Sequence, residues 1–230
     1  MKGLAVSMAL IAIAEAFLYL GKYELCVTFH GLNLLFSCIY VILKKDSDVI
    51  PLTLPSTFRL VNLAMPVFFT LRAYWLATVY MPMFPAIYYA AKALNMSGEG
   101  IGFTTKNLKY APLAVLGVPI GYAEFHLFNV SFTSSPIVVA LVMLVFVSLV
   151  EELVYRGVIQ GYFECKYGKY GIATAVVINA LMAPPALKVF TLLSASVLGI
   201  VYSKTRNVLV TTLMHWTACM TLLFSGYIVL

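Results

Sequence analysis

The sequence predicts an all-α polytopic membrane protein, a bundle of about eight or nine transmembrane helices with an intramembrane cavity. Hydrophobic residues make up 62% of the 230 residues and charged residues only 10%. A soluble domain is about half apolar and about a quarter charged. Apolar runs of about 16–22 residues recur along the chain, close to the length that crosses the hydrocarbon core of a bilayer. Composition therefore excludes an ordinary soluble domain.

The apolar runs set the order of the predicted spans. The stretch 60–94 is too long for one span and is divided near residue 77, and a polar loop from Lys44 to Arg59 precedes it. Pro184 and Pro185 break a later helix, so a tight turn is expected at Lys188. The remaining spans are predicted at about 3–20, 25–43, 108–128, 135–155, 171–187, 188–203 and 207–229.

The basic residues indicate the orientation of the chain in the membrane. They are scattered singly at the predicted span ends, although the net charge is +6. With the N-terminus inside, nearly all of them fall on the cytoplasmic side, and only Lys22 and Lys188 fall outside. We therefore expect an integral protein of the plasma or cell membrane, with Glu151 near the cytoplasmic side. Membrane lipid is the expected partner, and nucleic acid is not, because no basic patch is present.

Adjacent carboxylates and an arginine lie at the end of the predicted span 135–155. On a helix, Glu152 and Arg156 are four residues apart and can form an ion pair. Glu151 then points about 100° away from them. Ionisable residues within a span are costly and often mark a functional site. The pattern predicts one carboxylate held by the arginine and one free to act, although a purely structural ion pair is the alternative interpretation.

Polar residues on two later spans can complete a site with Glu151. His215 and Cys219 are one turn apart on the last span, and Asn179 lies in the middle of the span at 171–187. A carboxylate and an imidazole at matching depth can activate water and stabilise an oxyanion. A packed histidine and an interhelical hydrogen bond from Asn179 are the structural alternatives. No metal or cofactor is expected, since a zinc site needs three or four ligands and only Glu151, His215 and Cys219 are available.

At these residues the chain resembles the CAAX-protease and bacteriocin-processing family of intramembrane peptidases, which includes the Rce1-type prenyl-protein endopeptidases. The family's first motif, Glu-Glu-x-x-x-Arg, is matched by residues 151–162, Glu-Glu-Leu-Val-Tyr-Arg-Gly-Val-Ile-Gln-Gly-Tyr. Residues 100–103 resemble its upstream lead-in, and 198–207 resemble its penultimate span and tight turn. The resemblance covers residues 98–230, which we interpret as the peptidase core. Residues 1–97 are interpreted as N-terminal transmembrane helices outside it.

The resemblance implies an intramembrane endopeptidase that hydrolyses prenylated or membrane-associated peptides with a water activated by Glu151. Glu152 and Arg156 would hold the helix end, and His215 would stabilise the oxyanion with Cys219 beside it. The pattern is incomplete, however. The family's second motif, Phe-x-x-x-His, aligns with Asn179 and Ala183, so its histidine is missing, and Cys219 replaces the usual Asn or Asp of the last motif.

Three interpretations of this departure remain open. Another group, with Glu124 and His126 as candidates, replaces the histidine, although the predicted topology places both near the membrane face opposite Glu151. Alternatively, the chain is a catalytically lapsed homologue that serves as a membrane binding or scaffold subunit. A thiolate–imidazole pair of Cys219 and His215 is the third. A transporter would instead use the intramembrane charges Glu15 and Arg72, which are able to pair with each other.

Overall fold

The computed structural model describes residues 2–64, 80–128, 142–184 and 187–228, and every regular element in these ranges is helical. Short 3₁₀ helices at Ser47–Leu52 and Leu108–Leu116 precede α3 and α5. The longer helices are α1 (Lys2–Tyr19), α2 (Tyr23–Lys44), α3 (Thr53–Ala64), α4 (Met83–Ala93), α5 (Gly117–Phe128), α6 (143–167), α7 (Tyr170–Met182), α8 (Lys188–Thr205) and α9 (Val208–Ile228).

The predicted class, an all-α membrane protein, is confirmed. Within the described ranges, α1, α2 and the Val208–Ser225 part of α9 are long and apolar enough to cross a membrane. Predicted spans also fall on 65–79 and 129–141, which lie outside the described residues. The number of eight or nine spans therefore stays a prediction.

The hairpin of α1 and α2 has the distribution of polar and apolar side chains that is typical of helices in contact with lipid. The side chains that α2 buries are small or polar, namely Cys26, His30, Asn33 and Ser37. Its exposed side chains are large and apolar, such as Leu35, Ile42 and Leu43. In water this distribution would be costly, whereas in a bilayer the apolar face contacts acyl chains and the polar atoms hydrogen-bond inside the protein.

α6 departs from α-helical geometry on both sides of the paired glutamates. Two π-helical segments, Met143–Ser148 and Leu153–Gln160, flank the short α-helical turn Leu149–Glu152. π-helical turns are rare and are frequent at functional sites. Every residue of Leu153–Gln160 is buried, so α6 forms the centre of the bundle. It also continues to Tyr167, twelve residues beyond the predicted end of its span at 155.

Glycines allow α5 to lie against the backbone of α9. A Cβ atom added at Gly117 would lie 2.1 Å from the carbonyl oxygen of Met214, and one added at Gly121 would lie 2.0 Å from that of Ala218. No larger residue fits at these contacts, because a backbone oxygen cannot move aside as a flexible side chain can. The Gly-x-x-x-Gly spacing is typical of closely packed membrane helices.

The N-terminal helices contribute to the same core as the rest of the chain. The main buried cluster contains Ile11, Leu52 and Met83 together with Val150 and Phe163. The predicted polar loop from Lys44 to Arg59 is wrong in its second half: Ser47–Leu52 is a 3₁₀ helix, and α3 begins at Thr53 and already includes Arg59. The reason is that Arg59 has buried partners inside the bundle, which are described below.

Candidate active site

A cavity of about 520 Å³ lies between α3, α5, α6, α7, α8 and the adjoining part of α9. Five of the six predicted site residues line it, and the sixth, Arg156, is buried behind Glu152. The structure thus brings together residues that are up to 68 positions apart, from Glu151 to Cys219. The five lining residues are Glu151, Glu152, Asn179, His215 and Cys219.

Glu151 faces the cavity and has one hydrogen-bond partner among the described residues. The hydroxyl of Tyr80, just before α4, donates to Glu151 Oε1 over 2.6 Å. The Glu151 side chain is only partly buried, and no cation is paired with it in the described ranges. The carboxylate is thus fixed at one oxygen and open to the cavity at the other. Sequence analysis missed Tyr80, which belongs to no motif.

Glu152 is held from two sides. Its Oε2 atom lies 3.5 Å from Arg156 Nε, which confirms the predicted pair, and both side chains are 1% exposed. Its Oε1 atom lies 3.1 Å from Nδ1 of His215. Arg156 in turn donates from Nη2 to the carbonyl oxygen of Ala195 on α8 over 3.3 Å. The row Arg156–Glu152–His215 therefore fixes the ring of His215 and joins α6, α8 and α9.

His215 and Cys219 lie on the cavity side of α9. The His215 side chain is 21% exposed, so its ring is not enclosed on every side. Because its Nδ1 atom is engaged by Glu152, Nε2 is the ring atom that remains for other partners. Cys219 interacts with the imidazole one turn later and also borders the cavity. It occupies the position that the resemblance aligns with Asn or Asp of the last motif.

Glu124 lines the same cavity, which corrects the predicted topology for this residue. It lies on α5, and its carboxyl interacts electrostatically with His215 and Glu151. The physical reason is the close packing of α5 on α9 through Gly117 and Gly121, a helix pairing that the order of the apolar runs does not reveal. His126 points elsewhere: it is exposed, and its ring contacts Tyr122 and Phe125.

The position that the resemblance aligns with the second-motif histidine lies at the end of α7. Ala183 borders the cavity directly after the last residue of this helix. The guanidinium of Arg59 reaches this helix end, and its Nη2 donates to the carbonyl oxygen of Met182 over 2.5 Å. Asn179 borders the cavity one turn earlier, and its side chain makes no hydrogen bond within the described ranges, contrary to the expected interhelical bond.

Arg59 reaches the cavity from a buried polar network of the N-terminal helices. It donates to Glu15 in bidentate fashion, from Nε over 2.7 Å and from Nη2 over 2.8 Å. Glu15 also lies 3.1 Å from Nε2 of His30, whose Nδ1 contacts Ser56 over 3.0 Å. Glu15 therefore pairs with Arg59 and His30, whereas its predicted partner Arg72 lies outside the described residues. In the sequence, the one sign of this network is the position of Glu15 within a predicted span.

No group of three or more His, Cys, Asp or Glu side chains with metal-binding spacing occurs in the parts of the chain that the structure describes. Glu151, His215 and Cys219 share the cavity, but they do not converge on one point. The cavity therefore combines carboxylates, an imidazole, a thiol and hydroxyls, a set suited to proton transfer and to oxyanion stabilisation.

Residues 133–220 match the family described as type II CAAX prenyl endopeptidase Rce1-like. The match spans less than half of the chain and includes the Glu-Glu-x-x-x-Arg motif and His215. No curated protein and no solved structure matches the chain. The predicted resemblance is therefore confirmed, since residues 133–220 match the Rce1-like family of CAAX-type endopeptidases.

Proposed function

We propose that this protein is an intramembrane endopeptidase in which Glu151 activates the attacking water. The observation that carries this proposal is the difference between the surroundings of two neighbouring carboxylates. Glu152 is 1% exposed and tied to Arg156 and His215, whereas Glu151 opens to the cavity with a single hydrogen bond from Tyr80. A general base needs such a fixed and accessible carboxylate, and the family match of this segment supports the reaction class.

The geometry supports one role for each group around the scissile bond. Tyr80 orients the Glu151 carboxylate, which takes a proton from water as the hydroxide adds to the peptide carbonyl. His215 borders the cavity and is held through Nδ1 by Glu152, so Nε2 is the ring nitrogen assigned to the substrate. In its imidazolium form it donates a hydrogen bond from Nε2 to the oxyanion that develops in the transition state.

The proposed substrates are peptides that reach the cavity from the membrane, in particular prenylated C-terminal peptides. The support is the description of the family, together with an apolar exterior that keeps the protein in lipid. A cavity of about 520 Å³ is large enough for a few residues of extended chain, and its lining combines apolar side chains with the polar groups described above.

The test is a cleavage assay in lipid vesicles with a pool of prenylated and unprenylated peptides, read by mass spectrometry. Glu151→Gln keeps an oxygen that can accept the Tyr80 hydrogen bond but removes the base. We expect it to lower the rate by about 10²–10⁴-fold. Glu99→Gln is the matched control, because Glu99 is 64% exposed and pairs only with Lys106 on the surface. Equal rates for wild type and Glu151→Gln would contradict the proposal.

A specific observation supports a second candidate, a lapsed homologue that binds a peptide, lipid or partner helix in the cavity. The chain has 3 histidines. Of these, only His215 borders the cavity, since His30 is buried in the N-terminal network and His126 is exposed. The imidazole that family members place beside the first glutamate is therefore not supplied. Absence of any cleavage by a folded wild-type protein would favour this candidate.

A further inference from the structure

Glu124 is a carboxyl group that the motif-based site does not include, yet the fold delivers it to the cavity. Gly117 and Gly121 bring α5 into backbone contact with α9. Glu124 follows Gly121 by three residues and therefore lies on the same face of α5. This face meets α9 from Met214 to Ala218, the stretch that carries His215. The position of Glu124 is thus a consequence of close packing.

The surroundings of Glu124 leave its carboxyl available for chemistry. It forms no hydrogen bond and no ion pair with any residue that the structure describes, in contrast to Glu15, Glu151 and Glu152. It is partly exposed to the cavity and interacts with His215 and Glu151 across it. A carboxyl group without a salt-bridge partner in an apolar bundle is costly as an anion, and a second carboxylate nearby increases this cost.

Peptide hydrolysis needs a proton donor as well as a base. An amine cannot leave as an anion, so the nitrogen of the scissile bond must gain a proton before the C–N bond breaks. In family members with a complete second motif, an extra histidine stands beside the first glutamate, and here Ala183 takes its place. One carboxylate and one carboxylic acid facing the same substrate can divide the acid and base roles, as in other two-carboxyl hydrolases.

We propose that Glu124 is the general acid of this site and donates its proton to the leaving nitrogen. The proposal rests on the proposed function and adds a second catalytic residue to it. It assigns the base to α6 and the acid to α5. The compensation for the missing histidine thus comes from a different helix.

The proton balance of the reaction closes with these two groups. Glu151 takes one proton from water, and the hydroxide forms a C–O bond with the carbonyl carbon. Glu124 gives its proton to the nitrogen, and the C–N bond breaks to release an amine and a carboxylic acid. Glu151 then holds a proton and Glu124 is ionised, so one proton transfer between them through the cavity restores the starting state.

The experiment compares two versions of one peptide that the pool assay has identified as a substrate. One version carries the scissile amide, and the other carries a phenyl ester at the same carbonyl. Phenolate is a weak base and leaves without protonation, so the ester does not need the general acid. We expect Glu124→Gln to lower amide cleavage about 10²–10⁴-fold and ester cleavage less than about tenfold. Glu151→Gln should lower both, because both reactions need the activated water.

The control is His126→Gln on the same helix, whose side chain is exposed and away from the cavity. It should leave both rates unchanged. Equal losses for amide and ester in Glu124→Gln would show a merely structural role and overturn the inference, as would no loss at all. In either case the proposed function stands if Glu151→Gln lowers the cleavage of both the amide and the ester. A wild type that cleaves no peptide overturns both.

A second measurement tests the protonated state of Glu124 without relying on cleavage. Dicyclohexylcarbodiimide is apolar and reacts with protonated carboxyl groups, and the product is mapped by mass spectrometry of proteolytic peptides. At neutral pH we expect labelling at Glu124 and none at Glu152, which is paired with Arg156. Glu124→Gln should lose the labelled peptide, while His126→Gln should retain it. Absence of labelling at Glu124 in the folded wild type would contradict a proton on this group.

Discussion

Neighbouring side chains of the same type acquire different roles at this site because their surroundings differ. Each oxygen of Glu152 lies close to a different partner: Oε2 to Arg156 on the same helix, and Oε1 to His215 on α9. Glu151 has a hydroxyl partner and faces an open volume. A buried charge in a membrane bundle is tolerated only with a partner, so the charge of Arg156 is needed to keep Glu152 ionised and in place.

At this scale we predict that Arg156→Leu destabilises the protein by about 3–5 kcal/mol, because it leaves the Glu152 carboxylate buried with only the imidazole as partner. The free energy of unfolding in detergent micelles measures the effect. Lys106→Ala is the comparison, since it removes an ion pair in which both groups are more than 60% exposed, 69% and 64%. That change should cost less than about 1 kcal/mol. Similar losses for the two variants would show that the Arg156 pair contributes no more than a surface pair.

The packing of α5 on α9 determines at the scale of elements which side chains reach the cavity. The contact depends on the absence of side chains at Gly117 and Gly121, so two residues without functional groups place Glu124. Sequence analysis recognised Glu124 as a candidate but placed it away from Glu151, whereas both residues line the same cavity. Helix pairing is a non-local property, and the spacing of one apolar run does not reveal its partner.

Gly121→Ala tests this contact. The added methyl group would lie 2.0 Å from the carbonyl oxygen of Ala218, so the helices must separate. We expect a loss of about 1–3 kcal/mol in unfolding free energy and weaker cleavage of amide substrates, because Glu124 moves with α5. Gly31→Ala on α2 is the matched control: nothing lies within 4 Å of the new Cβ, and alanine favours the helix by up to about 1 kcal/mol. An unchanged stability of Gly121→Ala would mean that α5 does not approach α9 this closely.

How far the sequence determines the fold is visible in the helix ends around the site. A helix break at Pro184 and Pro185 and a tight turn at Lys188 were predicted. In the structure α7 ends at Met182, and Lys188 is the first residue of α8. The last helix was predicted from its apolar run, and Asn207 caps it by accepting from the amide nitrogen of Leu209 over 2.8 Å. The extension of α6 to Tyr167 was missed, because its polar end is stabilised by contacts with Asp48, more than one hundred positions earlier in the chain.

The candidate site was predictable where a local motif carries it, and not where distant helices complete it. Glu151, Glu152 and Arg156 follow one another at helical spacing, so their pairing could be derived from the sequence. Tyr80 and Arg59 have no motif, and their roles depend on three-dimensional neighbours. Sequence patterns describe periodicity along one helix, whereas the cavity is built from side chains of several.

At the scale of the whole molecule, Glu15 and Arg59 connect the N-terminal helices with the cavity. Glu15→Gln would leave the guanidinium of Arg59 without its anionic partner. Both side chains are largely buried, since Glu15 is 3% and Arg59 15% exposed. We expect a loss of about 3–5 kcal/mol, measured as the free energy of unfolding. The double variant Glu15→Gln with Arg59→Met should lose less than the sum of the single changes, because the unpaired charge is gone. Additive losses would show that the two side chains do not depend on each other.

A second connection, outside the predicted spans, makes the stability of the whole bundle depend on pH. The Asp48 carboxyl is 2% exposed and binds Lys166, Tyr162 and Tyr167 at the end of α6. Burial alone would raise the pKa of this carboxyl, but the hydrogen bonds from Lys166 and the two tyrosines outweigh burial and lower it. A carboxyl with a lowered pKa stabilises the folded state fully above its unfolded pKa of about 3.9, and this contribution is lost as the pH falls through the folded pKa.

We therefore expect wild type to exceed Asp48→Asn in unfolding free energy by a constant amount between about pH 5 and 8. The advantage should shrink as the pH falls below about 4, where Asp48 gains its proton first in the unfolded protein, and it should be lost as the pH falls through the lowered pKa of the folded protein. Denaturant unfolding of both proteins over this range measures the difference, in which all other carboxyl groups cancel. Glu99→Gln, at an exposed ion pair, should follow the wild type at every pH. If the advantage of the wild type grew towards acid pH instead, the folded state would favour the protonated form of Asp48, and the connection between the Ser47–Leu52 helix and α6 would not depend on its charge.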